Sequence, residues 1–125
     1  KMADGVLLDA PCTGTGVLSK RADLRWKRTE EELENSVKLQ EELLEESANH
    51  VKRGGRLVYS TCSIEPEENW DQIQKFLDKF DNFELEPLDE FLPEEVLTED
   101  GLAYQTFPHV HNCDGHFGVR LKRVK

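Results

Sequence analysis

Asp9 and Cys12 stand within "LLDAPCTGTG" (7–16), and Cys62 stands within "LVYSTCS" (57–63). In both stretches an apolar run that reads as a buried strand gives way to side chains able to do chemistry. A cysteine can act as a small core filler, a metal ligand or a nucleophile. Core-filling cysteines belong inside strands, and these two fall just past strand ends, beside a carboxylate and flexible backbone. A metal site could draw on His109, His111 and Cys113 in "HVHNC", where alternation puts all three on one face, but a fourth ligand and knuckle spacing are missing. "GTG" after a strand suggests a dinucleotide loop, yet it lacks a third glycine and no helix opens directly behind it. The cysteines at 12, 62 and 113 form no CxxC pair and cannot all pair with one another, which predicts thiols in a reducing compartment.

These side chains need elements to hold them. "VLLD" (6–9) shows no polar alternation and predicts a short strand covered on both faces. Thr29 with Glu32 forms a capping box. Leu33, Val37, Gln40, Leu44, Ala48 and Val51 then recur at helical spacing, up to a stop at "KRGG", where Gly54 or Gly55 could cap the helix. "RLVYST" (56–61) predicts a second buried strand. Pro66 suits the first turn of a second helix with Trp70, Ile73, Leu77 and Phe80 inward. "NFELEPL" (82–88) reads as a strand, the acidic, proline-marked stretch to about 101 as a loop, and "HFGVRLKRV" (116–124) as a closing strand. Strand–helix–strand units predict an α/β fold, a mainly parallel sheet with helices on its faces. Ligands of such sheets sit beyond the carboxyl ends of the strands, where Asp9, Cys12 and Cys62 fall.

The 125 residues, 37% of them hydrophobic, suit one domain. No signal peptide is visible and no apolar stretch approaches spanning length, which predicts a soluble, non-secreted protein without a membrane partner. A net charge of −10 argues against a generic nucleic-acid binder. The charge is uneven, however: "KRADLRWKR" (20–28) and the tail "VRLKRVK" are basic, while acid gathers in 30–46 and 65–100.

"LLDAPCTGTG" together with "GGRLVYSTCSIEPEEN" resembles the Sun-type RNA (cytosine-5) methyltransferases, in their RsmB-like branch. "ADLRW", "LQEELLEESANHVKRGG" and "FPHVHNCDGHFGVRL" fall where that family has equivalents, so the likeness spans the chain. The resemblance implies a Rossmann-like methyltransferase fold, S-adenosyl-L-methionine as cofactor, RNA (ribosomal RNA above all) as partner, no metal, and a cytoplasmic or plastid setting. It makes Cys62 the nucleophile and has Cys12 assist breakdown of the adduct. Residue chemistry alone leaves open which thiol attacks. By the same mapping Asp9 lies near the methionine end of the cofactor and the cytosine edge, although it could also simply cap the turn before Pro11. Gly14 and Gly16 would let backbone pass a flipped base. Lys20, Arg21 and Arg25, with Lys27 and Arg28, become candidates for phosphate contacts.

Two departures stand out: Thr13 where the family has Ser, and Asp114-Gly115-His116-Phe117 where it has Asp-Gly-Phe-Phe. The family's glycine-rich loop and ribose-binding acid lie before the "DAPC" strand. Residues 1–125 are therefore expected to be the C-terminal part of a catalytic domain whose upstream part is a partner in the same protein. The rival readings are a degenerate half that only binds RNA or protein, and a cysteine hydrolase. The hydrolase suffers because neither His109 nor His111 sits at a motif that would orient it toward Cys62.

Overall fold

A computed structural model of the chain describes residues 2–12, 30–88, 97–98, 101–106 and 115–125. Strand β1 (Ala3–Asp9) leads, after the undescribed 13–29, to helix α1 (Glu30–Ala48) and then to β2 (Val51–Thr61). A 3-10 turn (Pro66–Glu68) opens onto α2 (Trp70–Lys79), and β3 (Phe83–Leu85), β4 (Ala103–Thr106) and β5 (His116–Arg123) follow.

The strands form one sheet in the order β1-β2-β5-β3, with β4 also paired to β5. β1 and β2 are parallel, while β5 runs antiparallel to β2, β3 and β4. Four of the described strands therefore point one way, as the sequence predicts for a mainly parallel sheet, and β5 is the reversed member between them.

Three glutamates in the first turn of α1 complement the helix dipole. Its buried stripe is Gln40, Leu44 and Ala48. The helix ends earlier than expected. Asn49 and His50 donate back to the carbonyls of Glu46 and Ser47, a tightened last turn, and Val51 is already the first residue of β2. Gly54 and Gly55 are thus not a helix cap but part of a strand irregularity, where pairing jumps from Ala3↔Val51 to Gly5↔Arg56. Gly54 has φ 83°, and a Cβ on Gly55 would stand 2.8 Å from the carbonyl oxygens of Asp4 and Lys52. Thr29, the expected cap residue, lies outside the described residues.

Both helices pack on one face of the sheet. Leu44, Ala48, Ile73 and Phe76 join Leu57, Tyr59, Phe117, Val119 and Leu121 in one core, with Trp70, Leu77 and Phe80 packed against it. Trp70 meets Phe117 edge-on at 5.5 Å, and Phe76 stacks on Phe80 at 4.8 Å. The expectation that β1 is covered on both faces fails: Val6 and Leu8 pack on the core, but Leu7 is 71% exposed. Nor is the segment before β5 wholly loop. Leu97 bridges to Tyr104, and β4 adds a strand the sequence reading passes over. β3 is shorter than 82–88 because Leu88 leaves the ladder to bond the carbonyl of Gly101.

Candidate active site

Strand register assembles the site. Asp9 pairs with Ser60 across β1 and β2, Ser60 with Gly118 across β2 and β5, and Gly118 with Tyr104 across β5 and β4. Partners in register share a face, so this row crosses the sheet on the side away from α1 and α2. The next row, Leu8, Tyr59, Val119 and Ala103, points into the core.

Ser60 Oγ donates to Asp9 Oδ1 at 3.1 Å and holds that exposed carboxylate at the end of β1. The ring of Tyr104 lies on Gly118: a Cβ there would come within 2.0 Å of Tyr104 Cε2. Burial raises the pKa of the Tyr104 hydroxyl, and the negative charges of Asp9 and Cys62 raise it further. Tyr104 is therefore a neutral O–H donor beside both residues.

Cys62 follows β2 and is half-buried. Its Sγ lies 3.6 Å from His116 Nδ1. The backbone N–H of His116 donates to Thr106 Oγ1 at 2.9 Å, which ties the start of β5 to β4. Cys12 is also a half-buried thiol outside any disulfide. Its charge adds to the burial and the Glu68 charge that push the Tyr59 hydroxyl up.

A buried polar network connects the two thiol-bearing loops. Gln40 Nε2 donates to the carbonyl of Pro11 at 2.9 Å and to Glu68 Oε2 at 2.8 Å. Ser63 Oγ donates to Glu68 Oε1 at 2.6 Å, and Tyr59 donates its hydroxyl to the Glu68 carbonyl at 2.7 Å. Asn69 closes the turn, accepting from Thr61 Oγ1 at 2.6 Å and donating to the carbonyl of Ser63 at 2.9 Å. Glu68 and Gln40 are fully buried. The residue before Cys12 and the residue after Cys62 thus hang from one carboxylate and one amide.

Asp9 and Cys62 come to the same end of the same sheet face, whereas the sequence reading expects only that they, with Cys12, fall beyond the carboxyl ends of the strands. Lys20, Arg21, Arg25, Lys27 and Arg28 lie outside the described residues, as do Thr13, Gly14, Gly16, His109, His111, Cys113 and Asp114. Among the described residues no helix is long and apolar enough to cross a membrane. Sequence reasoning missed Tyr104, Ser60 and the bridging roles of Gln40 and Glu68, and it noted His116 only as a departure. Gln40 carried a signal: it is the one polar side chain in an otherwise apolar helical stripe.

The family model for the 16S rRNA methyltransferases RsmB/F matches residues 1–122. The chain belongs to the RsmB/F family. This RsmB/F chain is 39% identical over 120 residues to ribosomal RNA small subunit methyltransferase B of Photorhabdus laumondii, covering 96% of the chain and 26% of that relative. It is also 39% identical, over 125 residues, to a probable ribosomal RNA small subunit methyltransferase B of Synechocystis, covering 99% of the chain and 28% of the relative. The chain thus spans about a quarter of the length of these relatives. Among solved structures, NSun6 from Pyrococcus horikoshii with SFG superposes with a TM-score of 0.83 at 33% identity, over 99% of the chain and 31% of that protein. A methyltransferase homolog from Pyrococcus horikoshii gives 0.77 at 39% identity, over 98% and 39%. The α/β sheet of this RsmB/F chain is that of its methyltransferase neighbours.

Proposed function

We propose that the protein carrying this chain transfers a methyl group from S-adenosylmethionine to carbon 5 of cytosine in RNA, ribosomal RNA by its family, through a covalent adduct with Cys62. The chain is read as the part of the catalytic domain that bears the nucleophile, completed by further sequence of the same protein. The observation that carries this reading is the placement of Asp9 and Cys62 at the carboxyl ends of two adjacent parallel strands, on the face the helices leave uncovered, in a chain of this family.

S-adenosylmethionine, when bound, supplies the methyl group. The residues present fit its amino-acid end: Asp9 offers an exposed anionic carboxylate, oriented by Ser60, to an ammonium or to the exocyclic amine of cytosine. Carbon 5 of cytosine is a weak nucleophile until something adds to carbon 6. Cys62 does this as a thiolate, forming the Sγ–carbon 6 bond and moving the ring's π pair to carbon 5. Cys12, on the loop after β1, assists removal of the carbon-5 proton, which restores the double bond and expels Cys62. The base must leave its stack to reach the site, and the basic 20–28 segment is the candidate phosphate contact.

The test is covalent trapping with 5-fluorocytosine RNA in the full-length protein. Cys62→Ala should lose both methyl transfer and the adduct. Cys12→Ala should let a stable protein–RNA adduct accumulate, because addition survives and release fails. The opposite pattern would exchange the two roles, and methyl transfer surviving Cys62→Ala would remove covalent catalysis altogether.

A further inference from the structure

We propose that His116 is the proton partner of Cys62 and so a further catalytic residue of the reaction, an inference that rests on the reading of Cys62 as nucleophile. The last paired positions of β2 and β5 are Thr61 and Phe117, so residues 62 and 116 face one another one step beyond the ladder. Their side chains meet there, with Sγ 3.6 Å from Nδ1, within range of a hydrogen bond to sulfur. The contact serves either protonation state: a thiol donates to Nδ1, and an imidazolium donates to the thiolate.

Two features hold the pair together. His116 cannot slide away, since its N–H is bound to Thr106 Oγ1 and its strand is locked between β2 and β4. Both residues are only half-exposed, which strengthens a charge-assisted contact relative to water. The described ionisable groups facing this end of the sheet are Asp9 from β1 and Tyr104 from β4. Further along β5, Arg120 is paired with Glu86. Asp9 brings negative charge to this end, and Tyr104 is a neutral donor.

Nδ1 takes the Sγ–H proton on its lone pair. The thiolate pair then forms the bond to carbon 6 while the π pair moves to carbon 5, where it would bond the methyl group that S-adenosylmethionine, once bound, would supply. On release, a base on the Cys12 side takes the carbon-5 proton and that C–H pair re-forms the double bond. The carbon 6–sulfur pair returns to Sγ, and Nδ1 gives its proton back. One proton, formerly on carbon 5, leaves through that base to solvent, and Cys62 and His116 return to their starting states.

The experiment is alkylation of Cys62 by iodoacetamide in the full-length protein across pH, read at the Cys62 peptide by mass spectrometry so that Cys12 does not interfere. An imidazolium partner holds a thiol below its ordinary pKa of about 8.5. His116→Gln and His116→Phe should therefore shift the alkylation profile to higher pH and slow labelling at pH 7 roughly five- to tenfold, allowing for the higher intrinsic reactivity of a more basic thiolate. In the unsubstituted protein the His116 imidazole, followed by NMR, should show a second inflection as Cys62 ionises, and Cys62→Ala should abolish it. Unchanged alkylation profiles, or a His116 titration indifferent to Cys62, would overturn the proposal; the NMR arm decides it even if both His116 variants fail to fold. The function proposed above is tested separately. Loss of methyl transfer in Cys62→Ala with no effect at His116 sinks only this inference, whereas methyl transfer surviving Cys62→Ala sinks the function and His116's catalytic role with it, even where coupled titration shows that the proton pair exists.

Discussion

At the scale of single residues, the open end of the sheet depends on what is missing as much as on what is present. Gly118 has no side chain, and the ring of Tyr104 occupies the space one would fill. Gly118→Ala would drive a methyl into that ring, forcing Tyr104 off its place beside Asp9 and Cys62. Overpacking of this kind costs about 1–3 kcal/mol. The expected outcome is a lower urea midpoint together with slower adduct formation on 5-fluorocytosine RNA, while Gly5→Ala, in open space, should change neither. Asp9 and Cys62 were legible in the sequence because each ends an apolar run. Tyr104 was not, because its neighbours are set by cross-strand register with Gly118, and the four-residue strand that carries it has no alternation long enough to register as a strand. His116 shows the same limit: its type was readable, but its closeness to a thiol 54 positions earlier is a property of the sheet.

At the scale of elements, the loops bearing the thiols are held by a helix and a 3-10 turn rather than by the strands alone. Glu68→Ala would leave Gln40 Nε2 and Ser63 Oγ buried without their acceptor, a loss of about 2–3 kcal/mol. Because Gln40 also binds the Pro11 carbonyl, the same substitution should speed alkylation of both Cys12 and Cys62 by loosening both loops, which peptide-resolved labelling would detect. If Cys62 alone responded, the bridge to Pro11 would carry no mechanical weight. The apolar stripes of α1 and α2 were readable from their period, and so was the parallel β1–β2 pair. The end of α1 was misread because Gly54 and Gly55 look like a cap, and only the position of Asp4 and Lys52 around Gly55 shows that they serve the strand. Pro66 marks the start of a 3-10 turn, one turn earlier than the α-helix it announces.

At the scale of the whole molecule, β1 lies at the end of the strand order with its outer edge unpaired among the described residues, and Leu7 is exposed on its uncovered face. Apolar edges of this kind recruit other chains. The isolated 125-residue chain should therefore self-associate at micromolar concentration in sedimentation experiments, and a sharp monomer with a cooperative melt would show the sheet to be self-sufficient. Acid stability has an identifiable contributor. Arg56 and Arg120 both bond Glu86 at 2.9 Å, and the Arg56 hydrogen bond leads the interactions that hold the Glu86 carboxyl below its ordinary value. A carboxyl depressed on folding stabilises above its unfolded pKa and loses that contribution as pH falls through the folded one. Glu86→Gln should therefore lower the melting temperature near neutral pH and by less below the carboxylate range, as scanning calorimetry across pH would show. The parallel β1–β2 pair was legible in the sequence, but the reversed direction and central place of β5 were not, since a reversed strand reads like any other. That place imposes an order in time. β5 comes after every other described element, yet it makes the pairings with β2, β3 and β4. On a ribosome, Cys62 emerges dozens of residues before β5, so the thiol spends the interval without a finished sheet or an imidazole beside it. The contact between Cys62 and His116 can form only when the last described strand slots in.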